Sequence, residues 1–206
     1  MLAEHECLKA VIGGLDVVIA SSTAIVGPHD YVPSRLGRML INQSRGRLKA
    51  TVKGGFEFVA VNDLVQGHLL AMDNGRAGRK YLFSSKFVST DELMRMFSAV
   101  TGVPAPSLHV PGAVASALAA GWDAAARLDA LRGSGHMAEG VTRAAVSFLR
   151  SEHHANCSRA ISELGYSPTS VAEAVRQAYE CFCRRGVIVP RRRVTHSTPL
   201  ARFAPV

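Results

Sequence analysis

The chain has 206 residues, of which 48% are apolar and 19% charged, with four cysteines and a formal charge of +8. That length buries a real core in one domain or two small ones, and this composition excludes a disordered chain. The charge excludes a basic nucleic-acid groove, because six arginines and no acid lie between Arg184 and the C-terminus, so most of the excess sits in a tail.

In chain order, Leu2–Val11 reads as a helix stopped by Gly13 and Gly14. No signal peptide is visible, since Glu4 and Glu6 sit in the first ten residues and no apolar run follows. Leu15–Ala20 is short, apolar and β-branched, as a strand buried on both faces requires. A polar loop follows, and Ser34 caps a helix running to about Gln43. Lys49–Lys53 and Phe56–Val61 read as strands. Asn62 or Asp63 then caps a helix whose inner face is Leu64, Val65, His68, Leu69 and Met72.

Tyr81–Ser84 is a further strand, and "STDEL" at 89–93 is a capping box opening a helix that ends near Gly102. The Pro-rich stretch "VPAPSLHVP" reads as a connection. Helical segments are expected at Gly112–Leu131 and Ala138–Ser151. The most apolar stretch, Pro111–Ala126, is shorter than the roughly 20 residues a membrane span needs, so it reads as a buried or interface helix. Ser158–Leu164 is a short helix closed by Gly165. "SVAE" at 170–173 is a second capping box, opening a helix through Arg184 with Val171, Ala174, Val175, Ala178 and Phe182 on its apolar face. From Pro190 onward the reading is a basic disordered tail.

Strands linked by helices predict a parallel or mixed sheet covered by helices. Only about three good strands are visible, so the fold class expected is α/β with an incomplete Rossmann-type sheet and a small, mostly helical substrate-binding subdomain. The divisions expected are 1–103 for the Rossmann-type part, 104–186 for the subdomain and 187–206 for the tail.

Four stretches carry a resemblance. "LAEHECLKAVIGGLDVVIA" is similar to a helix after a catalytic Tyr-x-x-x-Lys and the strand behind it. "TAIVGPHDYVPS" is similar to a "PSxxxGPxD" loop, and "GGFEFVAVNDLVQGHLLAM" to "GGxxFVxVxDVAxGHxLA". "SRAISELGYSPTSVAEAVRQAYECF" is similar to an ending in which "LGY" precedes the last helix. In this order they resemble the C-terminal half of an extended short-chain dehydrogenase/reductase, in the NAD(P)-dependent epimerase/dehydratase group with its dihydroflavonol-reductase-like members. The resemblance covers Leu2 to about Gly186.

That resemblance implies NAD or NADP as the family's cofactor and hydride transfer at a hydroxyl or carbonyl of a sugar-, sterol- or polyketide-like substrate. It also implies that the phosphate-binding glycines and the Tyr-Lys pair precede this segment. Tyr31, Tyr81, Tyr166 and Tyr179 are each followed four residues later by something other than lysine. A truncated member, silent alone, is therefore expected. The alternative is a non-catalytic partner of another reductase subunit or of a separate N-terminal half, joined as a homo- or hetero-oligomer through an exposed sheet edge.

Ser21, Ser22 and Thr23, at a strand's C-terminal end, are the candidate cofactor contacts. They stand where the family usually has an Asn-Pro or Arg-Pro pair. His29, Asp30, Tyr31, Ser34 and Arg35 are the candidate substrate contacts, with Arg35 suited to an anionic or hydroxyl-rich ligand. No catalytic residue is assigned. Asp63 reads as a helix cap, His68 as a satisfied boundary histidine and Trp122 as packing. His153, His154 and Cys157 lack a fourth ligand nearby in sequence, so no metal is assigned. Cys181 and Cys183, two apart in a helix, do not face each other. Thiols without a disulfide framework point to the cytoplasm.

Overall fold

The computed structural model describes residues 2–131, 146, 147, 149, 151 and 153–190. The helix expected at Ala138–Ser151 lies mostly outside these residues, as does nearly all of the basic tail. Helix α1 spans Leu2–Ile12, and the first strand starts later than the expected Leu15–Ala20 and is half-buried, not buried on both faces: Leu15 is exposed, β1 is Ile19–Ser22, and β2 (Ala24–Val26) follows it. Then come α2 (Arg35–Ser44), β3 (Ala50–Val52), β4 (Gly55–Ala60), α3 (Val61–Asn74), β5 (Lys80–Phe83) and β6 (Lys86–Ser89). They are followed by α4 (Thr90–Thr101), β7 (Leu108–Val110), α5 (Gly112–Leu131), α6 (Ser158–Leu164) and α7 (Val171–Arg184).

Strand β1 pairs with β5, β2 with β4 and β3 with β7, all parallel, while β6 lies antiparallel to β4. The chain therefore changes partner at Thr23. There the Thr23 amide donates to the Phe83 carbonyl at 3.3 Å, and the Ser85 amide to that of Phe58 at 2.7 Å. Among the described residues β5 is the only strand paired with β1. Strand β4 has helices against both faces. Phe58 and Ala60 join Leu40, Phe97, Val175 and Phe182 in one core, and Val59 joins Leu64, Tyr81, Phe83 and Tyr166 in another. Successive side chains of a strand face opposite ways, so one apolar strand supplies two cores.

The helix ends follow local chemistry in some places and depart from it in others. Ser34 Oγ accepts from the Gly37 amide, and Ser89 Oγ from that of Glu92. The Glu92 carboxylate turns to Lys86 at 3.0 Å. The "SVAE" box does not close: Ser170 makes no side-chain cap, and Glu173 bonds Arg176 and Gln177. These hydrogen bonds, with Arg176 first, hold Glu173 down at about 2 from 4.5. A depressed carboxylate contributes fully above its ordinary value, and that contribution is lost as pH falls toward 2. The acid melting of α7 in Glu173→Gln, followed by circular dichroism, should therefore lose part of its pH dependence in that window.

Two departures concern α3. Its N-cap is Ala60, and Asp63 lies inside the first turn with its carboxylate turned to Thr169. The inner face is also rotated from the expected one. Leu64, Gly67 and Ala71 are buried, whereas Val65, Leu69 and Met72 are exposed. Gly67 is the reason: a Cβ there would meet the Phe83 ring at 2.6 Å, so the bare backbone lets α3 close on β5. His68 is satisfied as expected, its Nδ1 lying 2.8 Å from the Leu64 carbonyl.

Tyr166 packs edge-on against Phe83 with ring centroids 5.1 Å apart. Its hydroxyl is buried with no partner among the described residues, and burial, with Asp63 nearby, pushes its pKa up. Tyr166→Phe removes that orphan and should leave stability unchanged or raise it by about 1 kcal/mol, read as a thermal-melt shift.

Candidate functional site

The C-terminal end of β1 opens into a cleft of about 420 Å3, lined by Ser22, Thr23, Phe56, Glu57, His153 and His154 among others. It sits where the chain switches from partner β5 to partner β4, and such switch points are where open α/β sheets take ligands. Ser22 is exposed at the strand end. Thr23 Oγ1 is buried and has no hydrogen-bond partner among the described residues. Ser21, one residue earlier in the strand, is not part of the lining.

From β4, one residue before Phe58, the register partner of Ala24, Glu57 lines the same cleft. Its side chain is 11% exposed. Oε2 accepts from Ser84 Oγ at 2.8 Å and Oε1 from the Ala155 amide at 3.2 Å. His154 Nδ1 lies 3.6 Å from Oε1, and the His154 ring packs on Phe87 at 4.5 Å. The carboxylate thus anchors the 153–155 segment over the cleft. Sequence reasoning missed Glu57, although a lone acid in "FEFVAV" was the available signal. In the sequence His153 and His154 stand out only as a metal-like pair that lacks further ligands, and their place beside Glu57 and Phe87 is not legible there. Among the described residues no group of three metal-binding side chains stands together.

The second set of candidates lies elsewhere. His29, Asp30 and Ser34 line a separate cavity of about 220 Å3, with Leu40, Phe97 and Phe182 behind them. The structure does not bring this set into one cavity with Ser22 and Thr23. Asp30 accepts from the Ser34 amide and hydroxyl at 2.8–2.9 Å, so its carboxylate organises the turn into α2. Gly37 sits under it, where a Cβ would come within 2.1 Å of Asp30 Oδ2.

His29 has φ 68, a left-handed backbone that costs a non-glycine residue roughly 1–2 kcal/mol. Three contacts hold it. Its amide donates to Cys181 Sγ at 3.4 Å, its ring meets Tyr31 Oη at 3.1 Å, and its carbonyl accepts from the Tyr31 amide. Arg185, which the sequence groups only with the arginines of the basic tail, donates to the Asp30 and Tyr31 carbonyls at 2.9 and 3.0 Å and stacks over the Tyr31 ring at 4.8 Å. Tyr31 and Arg35 are themselves exposed. Cys181 and Cys183 are free thiols.

The hydroxyls at this strand end would suit one end of a nicotinamide cofactor, and nothing among the described residues would hold its phosphates. Thr23 Oγ1 and Ser22 offer hydroxyls at a strand end. No strand of the described residues leads through a glycine-rich turn into a helix that would cradle a pyrophosphate.

No family model matches the chain. It is 33% identical over 187 residues to sterol demethylase protein B of Methylococcus capsulatus, covering 91% of this chain and 56% of that protein. It is 29% identical over 190 residues to a dihydroflavonol 4-reductase-like protein of Synechocystis sp., covering 90% and 54%. It superimposes on the crystal structure of a nucleoside-diphosphate-sugar epimerase from Pseudomonas aeruginosa with TM-score 0.71 at 22% identity, covering 91% and 54%. That last likeness is one of fold. The chain spans about half the length of the curated relatives it matches.

Proposed function

We propose, starting from a chain that has the fold of the C-terminal half of an extended short-chain dehydrogenase/reductase, that it forms the substrate side of an NAD(P)-linked reductase or epimerase site. Residues 104–186 contribute the substrate-binding subdomain. The observation that carries this reading is the cleft at the β1–β2 switch, which Thr23, with its buried and unpaired hydroxyl, and Glu57 of the neighbouring strand both line.

When bound, the nicotinamide would supply or accept the hydride. Ser22 and Thr23 would hold its reacting end, or the substrate hydroxyl, by hydrogen bonds. Glu57 would orient the 153–155 segment as a wall that limits water. His29, Asp30, Ser34 and Arg185 would brace the loop beside it. No Tyr-x-x-x-Lys occurs in these 206 residues, so in this reading a second polypeptide segment would supply the proton relay and the phosphate cradle.

A complementation assay tests this. The chain alone should leave NADH and NADPH unoxidised with carbonyl substrates. Mixed with the separately expressed N-terminal half of the Methylococcus relative, it should restore turnover. Turnover by the chain alone, or none in the mixture despite a measured complex, would overturn the reading.

A non-catalytic docking role is the second reading, and the surface beside β1 favours it. Leu2 and Ile12 on α1 are each 87% exposed, and Val65, Leu69 and Met72 form an exposed apolar row on α3, which packs on β1. With β5 as its only partner among the described residues, β1 leaves an edge free to pair. The same mixture separates the readings, since docking gives a complex without turnover.

A further inference from the structure

A run of cavities leads away from the Ser22–Thr23 cleft. Phe56 lines that cleft and also a chamber of about 320 Å3 bounded by α2, β3, α4 and β7. Met39, Thr51, Val88, Met94 and Val110 are among its walls, and no charged side chain of the described residues lines it. Val52 and Val110 are shared in turn with a groove of about 240 Å3, floored by Ala115 and Ala119 and edged by Trp122. Within this apolar surround Thr51 is 8% exposed, and its Oγ1 has no hydrogen-bond partner among the described residues. A buried hydroxyl left unpaired is costly, and valine would occupy nearly the same space without that cost.

We infer that the chamber holds the body of a neutral, mainly apolar substrate. One oxygen of that substrate hydrogen-bonds Thr51 Oγ1, and its reacting hydroxyl or carbonyl reaches past Phe56 into the Ser22–Thr23 cleft. This rests on the reading of the cleft as the substrate side of a reductase or epimerase site. The thioethers of Met39 and Met94 adapt to an irregular ring or chain. A nucleoside diphosphate is the wrong chemistry for these walls. Its phosphates would lose their hydration with no lysine or arginine among the described residues of the lining to replace it.

The test uses the 206-residue chain and three probes titrated by calorimetry: 2-naphthol, naphthalene and uridine diphosphate glucose. Expected is one-site binding of 2-naphthol, binding of naphthalene about fivefold weaker for lack of the hydrogen bond, and none of the nucleotide sugar. Thr51→Val should erase the difference between the two aromatic probes while holding or raising thermal stability. Ala50→Leu, which fills the chamber, should weaken both about tenfold. Binding of the nucleotide sugar in place of 2-naphthol, or 2-naphthol binding indifferent to both variants, would overturn the inference. If 2-naphthol fails to bind while complementation restores turnover, the inference falls and the reductase reading stands. Binding that follows the two variants, with no turnover in a measured complex, supports the chamber and removes that reading.

Discussion

Asp63→Ala should lower the unfolding free energy by about 2–4 kcal/mol, read from denaturant midpoints at constant m. Asp63 is 8% exposed, and its Oδ2 accepts from the Thr169 amide at 2.6 Å and the Thr169 hydroxyl at 2.9 Å. Hydrogen bonds to a charged acceptor are the strong ones, and deleting the acceptor leaves the Thr169 donors in a partly buried place with nothing to meet. The carboxylate also lies in the first turn of α3, where the helix dipole favours a negative charge. Asp63→Asn keeps an acceptor and should recover part of the loss. The damage should concentrate where the 165–170 loop joins α6 to α7, so hydrogen exchange there should rise before it rises in β4. Loss below 1 kcal/mol in Asp63→Ala would mean that Thr169 finds another partner and that the tether is incidental.

Glu57→Ala should be the most damaging change within the cleft. It removes the acceptor for both Ser84 Oγ and the Ala155 amide, at a cost of about 1.5–3 kcal/mol. Its sharper signature is local. With the anchor gone, the backbone from His153 to Cys157 should become the preferred site of limited proteolysis. In the complemented enzyme turnover should fall further than global stability, because the segment forms one wall of the cleft. Glu57→Gln keeps an oxygen for one of the two donors and should be intermediate in both readouts. If proteolysis stays where it is in the unaltered chain, the 153–155 segment is held by something other than Glu57.

Much of the helical frame was legible in the sequence because periodicity and capping are local. Val171, Ala174, Val175, Ala178 and Phe182 repeat at helical spacing, and all five are buried. Ser34 and Ser89 cap as their spacing predicts. What escaped were the strands held by partners instead of pattern. Strand β2 is only Ala24–Val26 and β7 only Leu108–Val110, and three residues carry no readable alternation. Strand β2 is defined by β4, and β7 by β3.

The face of α3 was misjudged because a glycine, invisible to a hydrophobicity pattern, sets how closely the helix sits on Phe83. Legibility of the site divides the same way. Ser22 and Thr23 follow from being at a strand's end. Glu57 and Arg185 act through residues far away in sequence, Ala155 for one and Asp30 for the other.

The parallel pairings also bear on how fast the chain reaches this structure. Ile19 pairs with Lys80, Ala50 with Leu108 and Ala24 with Phe58, so no parallel ladder can close as a tight hairpin. Each must close a long loop before its hydrogen bonds and packing compensate the lost entropy. The antiparallel contact of β4 with β6, also spanning a helix, offers no shortcut. Refolding should therefore be slow for the chain's size, with helical signal recovering ahead of burial around Tyr81 and Phe83. During that lag the β1 edge and the apolar residues of α1 and α3 are open to other copies, so refolding yield should fall as protein concentration rises.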